Sequence, residues 1–492
     1  MRLAHFLRSR LVVTAVGCLV LLGAGIITIP RTILKLEQAR SLGDGQLASL
    51  LNAPSETTAA RAALAIGRSR QPAGAPLLVS HVKDPRTSVR ALSIYGLGVI
   101  GLGNGVSSIT KALSDPSGAV RIAALDALGR YEAAKKLSPS EEPRVESAVA
   151  RSLGDRDPIV AGRAAITLNF FADGPAAGAA AASLVKALAP DEPAEVRERA
   201  MWSIFRRYPT RVPRAVLTAG LSDQDEIVRI EAVRAYGKLK DPSAAAALES
   251  LRDDHSWRVA EQAAESIKVL EGGQLSTSWT SIPPFVHVPS PQPDQLAGEK
   301  PIPMVEGSVA PGAPDAMTAD LGPALLPKTA ADMTSPAHGP HPRLRLITTK
   351  GNLYVVLYPE WAPLTVENFM NLAARGFYDD NRWFRIVPDF VVQTGEKDDK
   401  NAPGPGYTIG AEQNPLEQNS YVLSMGLNYD DKTNTPMLDS AGSEYYITLS
   451  PQYHLDNDFT VFGRVVGGFD VLGRLVESDR VIRIERISDI VL

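Results

Sequence analysis

Three side chains close together near the C-terminus have types that could act together on a bound molecule: Arg385, Phe390 and Gln393. A guanidinium is a permanent hydrogen-bond donor, an aromatic ring offers an apolar surface, and a side-chain amide both donates and accepts. Taken singly, an arginine on a strand is usually solvated and a phenylalanine usually belongs to a core. Their interpretation therefore depends on the surrounding sequence.

The composition of the 492-residue chain argues against several other kinds of site. Its single cysteine, Cys18, rules out an intrachain disulfide and a cysteine-based metal cluster. The seven histidines are scattered, with no pair at helical ligand spacing. A net charge of −4 gives no indication of nucleic-acid binding. We expect neither a metal nor a cofactor.

From Leu344 onward the hydrophobic pattern changes from a helical period to alternation. Residues 345–358 are predicted as two strands joined by a tight turn, and residues 363–373 as a helix. Further short strands are predicted at 383–387, 390–394, 420–425, 445–449 and 460–466. Many short strands with two helical segments in about 150 residues indicate a closed antiparallel β-barrel capped by helices.

Several motifs in this segment resemble those of the cyclophilin family. The run APLTVENFMNLAARGFYDDNRWFRIVPDFVVQTG resembles the family signature along its whole length. SYVLSMG, GSEYYIT and HLDNDFTVFGRVVGGFDVL follow in the family's order. The resemblance covers residues 343–492 and implies a cyclophilin-like fold with peptidyl-prolyl cis–trans isomerase activity.

The resemblance also implies roles for individual residues. Arg385 matches the family's catalytic arginine, and Phe390 matches the aromatic floor of the proline pocket. Gln393 matches the glutamine that binds the substrate backbone and helps to orient the arginine. The other positions that match the substrate pocket are Val391, Gly426, Tyr446, His454, Leu455 and Phe459.

Some of these positions depart from the family pattern. Tyr446 adds a hydroxyl where phenylalanine is usual, and a buried hydroxyl costs free energy unless it finds a hydrogen-bond partner. Val391 is smaller than the usual methionine, Glu444 stands where glutamine is common, and His454 stands where many members carry the tryptophan tied to cyclosporin binding. The segment 427–441 is longer than in compact members, and we expect Asp430, Asp431 and Lys432 within it to form a solvated loop.

The implied reaction needs no nucleophile, metal or cofactor. The peptide bond resists rotation by about 18–20 kcal/mol because its nitrogen lone pair conjugates with the carbonyl. An X–Pro bond populates both isomers, which exchange over tens to hundreds of seconds without a catalyst. A catalyst must bind the twisted bond better than either planar form. An apolar slot for the proline ring and a donor aimed at the freed nitrogen would satisfy this requirement.

Residues 45–272 form a repetitive segment rich in alanine and leucine. An acidic turn, a Val-Arg pair and an apolar helix recur, with 31 residues between Arg90 and Arg121 and 32 between Arg197 and Arg229. This period predicts stacked helix pairs in which aspartate caps the helix and proline occupies its first turn. The segment resembles HEAT repeats, an α-solenoid that offers a surface for a protein partner.

One motif in this segment matches the dinucleotide-binding pattern GxGxxG by letter. It runs Gly96-Leu97-Gly98-Val99-Ile100-Gly101. A dinucleotide site needs a strand before the glycines and a helix after them. Here the glycines end a repeat helix, so we interpret them as C-terminal capping residues.

The N-terminal segment 1–35 contains an apolar run of 19 residues, Leu11 to Ile29, preceded by three arginines. Such a run nearly crosses a hydrocarbon core of about 30 Å. We therefore expect a membrane anchor, with the bulk of the protein on the periplasmic or extracellular face. A signal peptide cleaved near residues 22–25, which would release a secreted protein, and lipidation of Cys18 are the alternatives.

Between Pro283 and Pro342 there are 14 prolines in 60 residues, which predicts a flexible linker at 273–341. Such a linker would let the C-terminal domain, residues 342–492, sample a wide volume around the solenoid. The sequence thus predicts a multidomain isomerase acting on X–Pro bonds of exported or folding proteins, with repeats that bind a client or partner. The alternative is a catalytically weak protein that binds proline-containing segments.

Overall fold

The computed structural model describes residues 30–102, 105–174, 176–270, 301–302, 341–396 and 404–487. The chain divides into two compact units. The first unit combines the residues up to Gly96 with those from His287 onward, and the second unit comprises residues 97–286. The predicted domain boundaries at 272/273 and 341/342 border stretches outside the described residues, and they stay predictions.

Helices follow one another from residue 31 to residue 270. The first unit contains α1 (Arg31–Gln38), α2 (Gln46–Leu51), α3 (Glu56–Ser69), α4 (Gly74–Val79) and most of α5 (Thr87–Ile100). The second unit contains α6 (Val106–Ala112), α7 (Gly118–Ala133), α8 (Glu142–Arg151), α9 (Pro158–Leu168), α10 (Ala177–Lys186), α11 (Ala194–Arg207), α12 (Arg214–Gly220), α13 (Glu226–Leu239), α14 (Ala245–Glu249) and α15 (Trp257–Leu270). The predicted helical-repeat solenoid is confirmed.

The arginine of the recurring Val-Arg pair ties one repeat to the next. Arg121 donates to both carboxylate oxygens of Asp155, at 2.7 and 2.8 Å, and Arg229 donates to both oxygens of Asp254 at 2.9 Å. Arg121 also donates to the carbonyl of Asp115 in its own turn, at 2.8 Å. These partly buried bidentate pairs explain why aspartate and arginine recur with the repeat period.

The predicted capping role of the repeat aspartates is right at some positions and wrong at others. Asp225 caps α13 by accepting from the backbone N–H of Ile227 at 2.8 Å. Asp115 instead lies two residues before the N-cap of α7 and accepts from the N–H of Ser117 at 2.9 Å. That bond closes a turn ahead of the helix, which leaves the helix N-terminus itself without an aspartate cap.

The GxGxxG motif lies within and at the end of α5. Gly101 follows the helix with φ +68°, which confirms the capping interpretation for that glycine. Gly96 is inside the helix, where an added Cβ would lie 2.8 Å from Leu78 and 3.2 Å from the carbonyl of Ala63. Its glycine therefore permits close packing between neighbouring helices.

A sheet of antiparallel strands forms the C-terminal barrel. The strands are β1 (Pro301–Ile302), β2 (Arg343–Thr348), β3 (Gly351–Leu357), β4 (Asn381–Arg382), β5 (Arg385–Val387), β6 (Val391–Thr394), β7 (Val422–Met425), β8 (Tyr445–Thr448), β9 (Val461–Gly467) and β10 (Arg480–Ile487). Their order is β1-β10-β2-β3-β9-β7-β8-β6-β5, and β4 also pairs with β10. Residues 381–387 therefore join β10 to β6 and close the barrel.

Two helices pack with the barrel: α16 (Pro363–Ala374) and α17 (Phe469–Arg474). The ring of Phe369 in α16 lies 5.1 Å from that of Tyr445 and 5.3 Å from that of Phe462. All three side chains are buried, so α16 closes the barrel's apolar core. The predicted barrel with capping helices is confirmed.

The prediction of a membrane-anchored, exported protein is corrected. In the part of the chain that the structure describes, no helix is long and apolar enough to span a bilayer, and the run 11–29 lies outside that part. The end of the predicted anchor segment belongs to α1, an amphipathic helix that folds with the first unit. It buries Ile33, Leu34 and the carboxylate of Glu37, which pairs with Arg61.

The predicted freedom of the C-terminal domain is also wrong for the first helices. Arg68 in α3 is fully buried and donates to the carbonyls of Trp361 and Gln413, each at 2.7 Å. Within the predicted linker, β1 pairs with β10 through Pro301 and Ile302. The first helices and the barrel thus form one compact unit.

Candidate active site

The barrel places Arg385 and Gln393 in one row across its strands. The β5–β6 hairpin pairs Arg385 with Gln393, β8 pairs Tyr446 with Gln393, and β7 pairs Ser424 with Tyr446. The hairpin turns at Asp389, whose φ is +53°. Directly paired residues point to the same face of a sheet, so the turn brings the predicted catalytic side chains side by side.

The Arg385 side chain is held at the surface by two neighbours. Its Nη1 donates to Oε1 of Gln393 at 2.9 Å, and its guanidinium carbon lies 5.4 Å from the centre of the Phe390 ring. Gln393 in turn donates through Nε2 to the carboxylate of Glu444. The guanidinium is therefore oriented by a hydrogen-bonded chain and an aromatic face, and it stays exposed to solvent.

An apolar cluster, which we call the pocket because the resemblance implies that it binds the proline ring, lies beside this row and is separate from the barrel core. Val391, Tyr446, Leu455 and Phe459 are buried in one cluster, and the partly buried Phe390 packs against it together with Leu427. The rings of Tyr446 and Phe459 meet edge to face at 5.8 Å. Such a cluster with a permanent donor at its rim suits a small apolar ring attached to a polar bond.

His454 lies on the 3₁₀ turn Tyr453–Leu455, and its ring stacks on Phe390 with 5.9 Å between centroids. The same short turn carries Leu455 into the pocket. The ring stacked on Phe390 extends the aromatic surface at the position where many relatives carry tryptophan.

Gly426 lies against the side chain of Glu444. The N–H of Gly426 donates to the carbonyl of Glu444 at 2.8 Å. An added Cβ on Gly426 would lie 2.8–2.9 Å from the Glu444 side chain, so the glycine makes room for that carboxyl group. Burial, followed by the nearby Glu396, raises the pKa of Glu444 to about 7.

The Tyr446 hydroxyl, which we expected to need a partner, is buried without a hydrogen bond among the described residues. Its polar neighbours are Ser424, opposite it on β7, and Gln418. Burial raises the pKa of Tyr446 well above its usual value. The extra hydroxyl therefore carries a desolvation cost, which Ser424 and Gln418 oppose by lowering its pKa.

All nine predicted site residues lie at this rim. Arg385 and Gln393 lie in the row with Tyr446, and Phe390 lies beside it at the hairpin turn. The remaining residues line the pocket or adjoin it: Val391, Gly426, His454, Leu455 and Phe459. Sequence reasoning did not place Glu444 or the loop 427–441 in the site. The loop nevertheless contributes Leu427 to the pocket, and its Tyr429 ring lies 6.4 Å from the Phe459 ring. The departure at Glu444 and the unusual loop length were the signals available.

Comparison with known families matches two separate parts of the chain to two families. Residues 343–489 match the family model described as cyclophilin type peptidyl-prolyl cis-trans isomerase/CLD. The HEAT repeat model matches at 45–129, 78–169, 106–204 and 181–268.

Individual relatives cover the same C-terminal part. Peptidyl-prolyl cis-trans isomerase B of Bacillus subtilis (strain 168) is 40% identical over 125 residues, 25% of this chain and 82% of the relative. Peptidyl-prolyl cis-trans isomerase-like 1 of Rhizopus delemar is 38% identical over 141 residues, 27% of this chain and 81% of the relative. A crystal structure of a cyclophilin type isomerase from Cryptosporidium parvum aligns at 23% identity with a TM-score of 0.28, covering 31% of this chain and all of that one.

Proposed function

This chain belongs to the cyclophilin-type peptidyl-prolyl cis–trans isomerases, and we propose that Arg385, Phe390 and Gln393 carry its catalysis while its HEAT repeats bind a protein client or partner. The substrates would be proline-containing segments of polypeptides. The barrel would act on the X–Pro bond, and the repeats would hold a more distant part of the same client or an assembly partner.

The proposed chemistry follows from what the twisted bond needs. Rotation breaks the conjugation of the imide and frees the nitrogen lone pair, which then accepts a hydrogen bond better than in either planar isomer. Arg385 supplies a permanent donor, and Gln393 occupies one of its N–H groups at 2.9 Å. Among the described residues its guanidinium makes no other hydrogen bond, so the remaining N–H groups can reach the imide nitrogen.

The pocket would supply binding energy and orientation. Phe390, Val391 and Phe459 offer an apolar slot for the pyrrolidine ring, and burial of about 100 Å² of apolar surface there would stabilise the complex by about 2–3 kcal/mol. The observation that carries the proposal is the placement of an exposed guanidinium 5.4 Å from the Phe390 ring, oriented by Gln393 at the rim of this pocket.

Exchange spectroscopy by NMR on an Ala-Pro peptide tests this role in the full chain. We expect acceleration by the wild type and a loss of at least about tenfold in Arg385→Lys, because an ammonium lacks the planar fork that Gln393 orients. Arg382→Ala removes another exposed arginine, three residues away on β4, and serves as the matched control. Equal effects of the two variants would contradict the role of Arg385.

An open groove of about 920 Å³ supports the proposed partner site on the repeats. Its cationic lining includes Arg206, Arg234 and Lys238, and its apolar part includes Phe205 and Val269, the latter 50% exposed. The cations of Arg234 and Lys238 lie 5.8 and 5.5 Å from the Phe205 ring centre.

Electrostatics decide which partner suits this groove. Burial, together with Arg206 and Arg207, lowers the pKa of Lys238, so the groove holds positive charge at a free-energy cost. Three acidic residues offset part of that charge: Glu265, Asp173, which pairs with Arg207, and Glu231, which pairs with Arg234 at 3.0 Å. An acidic polypeptide segment with apolar side chains would neutralise the remaining cations and cover Phe205 and Val269.

Binding of two synthetic peptides tests this site, one rich in Glu, Leu and Pro and the other with Lys in place of Glu. We expect the full chain to bind the acidic peptide more tightly, and Lys238→Glu to remove that preference. Lys186→Glu, a charge reversal at an exposed position outside the groove, is the control. Binding of both peptides alike, or equal losses in both variants, would contradict the proposal.

A further inference from the structure

The loop 427–441 connects the first helices to the rim of the pocket. At its C-terminal base, Oδ1 of Asp439 accepts from Nη2 of Arg40 at 2.6 Å and from Nη2 of Arg70 at 2.8 Å. Arg40 follows α1 and Arg70 follows α3, so both cations come from the helical part of the first unit. Arg40 also donates to the carbonyl of Ala411 in the barrel at 2.9 Å.

The loop is internally bonded, so its base and its pocket side are linked. Met437 donates through its N–H to the carbonyl of Asn428 at 2.8 Å, and Asp430 donates to that of Thr435 at 2.9 Å. The N–H of Asn428 also donates to Oγ of Ser440, next to Asp439, at 2.8 Å. The two arms therefore form a small hairpin, with Tyr429 bridged to Pro436.

Tyr429 stands on the pocket side of this hairpin. Its side chain is 47% exposed, and its ring lies 6.4 Å from that of Phe459. Burial and Asp458 raise the pKa of its hydroxyl while Arg385 opposes them, which places the hydroxyl within electrostatic reach of the proposed catalytic arginine. A chain seated between Arg385 and the pocket would pass alongside this ring.

We propose that Tyr429 is a specificity-determining residue that contacts an apolar side chain flanking the substrate proline, and that Arg40 and Arg70 position it through Asp439. This inference rests on the proposed function of the pocket. Under this proposal the first helices influence substrate specificity, because Arg40 and Arg70 hold the loop that borders the pocket.

The charge network is suited to positioning. The Asp439 side chain is 52% exposed, against 21% for Arg40 and 29% for Arg70. Single exposed ion pairs contribute little, but here two arginines meet on one oxygen. The N–H of Ala411 donates to the same oxygen at 3.3 Å. Loss of Asp439 should therefore loosen the loop and leave the barrel folded.

The test compares isomerisation of a Gly-Gly-Pro-Gly peptide, the Gly-flanked peptide, with versions carrying Phe directly before or after the proline, measured by exchange NMR on the full chain. We expect a preference for a Phe-containing peptide. Tyr429→Ala should reduce kcat/KM for that peptide about fivefold, mainly through KM, and leave the Gly-flanked peptide unchanged. Tyr429→Phe should retain the preference, because the ring makes the contact.

Asp439→Asn tests the positioning role against Asp431→Asn, an exposed aspartate on the same loop. We expect about a threefold loss of the Phe preference in the first and none in the second. A preference that survives Tyr429→Ala, or equal behaviour of the two Asn variants, would overturn the inference. A failure of Arg385→Lys to slow the Gly-flanked peptide would instead refute the proposed function.

Discussion

Nη1 of Arg385 donates to Oε1 of Gln393 at 2.9 Å, and the two residues are direct partners across the β5–β6 hairpin. Gln393 also donates to Glu444, which adjoins Gly426 on the neighbouring strand. The orientation of the proposed catalytic group thus depends on a chain of side chains that reaches into the barrel. These hydrogen bonds from Arg385 to Gln393 and Glu444 determine which substitutions should affect activity and which should affect stability.

Gln393→Ala should reduce kcat/KM about tenfold, the cost of one charge-assisted hydrogen bond. The guanidinium would keep its charge and lose its fixed orientation over Phe390. Steady-state isomerisation of an Ala-Pro peptide measures the loss. Gln452→Ala replaces a glutamine on a neighbouring turn that bonds to Asp389 and Ser450, and it provides a comparison outside the row. Equal losses in both variants would argue against a specific role for Gln393.

Glu444→Gln should change how stability depends on pH. The pKa of Glu444 is raised from 4.5 to about 7, so its proton-bound form favours the folded state. The associated stability is present below pH 4.5 and is lost as pH rises through about 7. Relative to the wild type, the variant should therefore gain up to about 3 kcal/mol between pH 4.5 and pH 8. Denaturant unfolding at both pH values measures the difference, and a constant difference would contradict the raised pKa.

Tyr446→Phe should stabilise the protein by about 1 kcal/mol, because it removes a buried hydroxyl that lacks a partner among the described residues. Tyr378→Phe is the matched control, since the hydroxyl of Tyr378 donates to the carbonyl of Ser443 at 3.2 Å. That change should destabilise the protein by about 1 kcal/mol. Thermal unfolding of both variants checks the opposite signs, and a loss of stability in Tyr446→Phe would show that its hydroxyl has a partner.

Arg68→Met should separate the first helices from the barrel. Arg68 bonds to the carbonyls of Trp361 and Gln413 and to Glu37. Burial alone would raise the pKa of Glu37, but Arg61 and Arg68 outweigh it and hold that pKa at about 2. Removing one partner of such a buried pair costs about 3–5 kcal/mol, or about 100-fold or more in affinity between the two parts.

Gel filtration after cleavage at an engineered protease site within residues 280–295, which leaves β1 with the barrel fragment, measures that affinity. The wild-type fragments should elute together, and the Arg68→Met fragments should separate. Arg70→Met, which alters an exposed ion pair close to the same interface, should leave them associated. Separation of the wild-type fragments would contradict the compact first unit.

The sequence predicted which residues lie together at the candidate site, because the signals for that placement are local; the catalytic roles of these residues stay predictions. Arg385, Phe390 and Gln393 lie on one hairpin, and a hairpin with a tight turn places such residues side by side whatever surrounds it. Strands β2, β3 and β5 to β9 were also predicted to within a few residues, whereas β1, β4 and β10 were not predicted. The charged residues of β10 hide its alternation. The arginine spacing predicted the repeats, although it did not show that Arg121 pairs with Asp155 of the next repeat.

Features that depend on distant residues could not be predicted. The carbonyl partners of Arg68 lie 293 and 345 residues away in the chain, and no local pattern marks a buried arginine that binds backbone carbonyls. The solvated loop was expected at Asp430 to Lys432, and no local pattern showed that Arg40 and Arg70 bind Asp439 at the base of the longer segment 427–441. The anchor prediction relied on an apolar run and the arginines before it, and it did not foresee that α1 folds with the first unit.

A double-mutant cycle on the full chain tests the central claim most directly. Exchange NMR on an Ala-Pro peptide compares the wild type with Arg385→Ala, Gln393→Ala and the double variant. If Gln393 acts by orienting Arg385, the wild type accelerates exchange and the double variant is no slower than Arg385→Ala alone. Additive losses, or acceleration by Arg385→Ala equal to that of the wild type, would contradict an isomerase that works through an oriented Arg385.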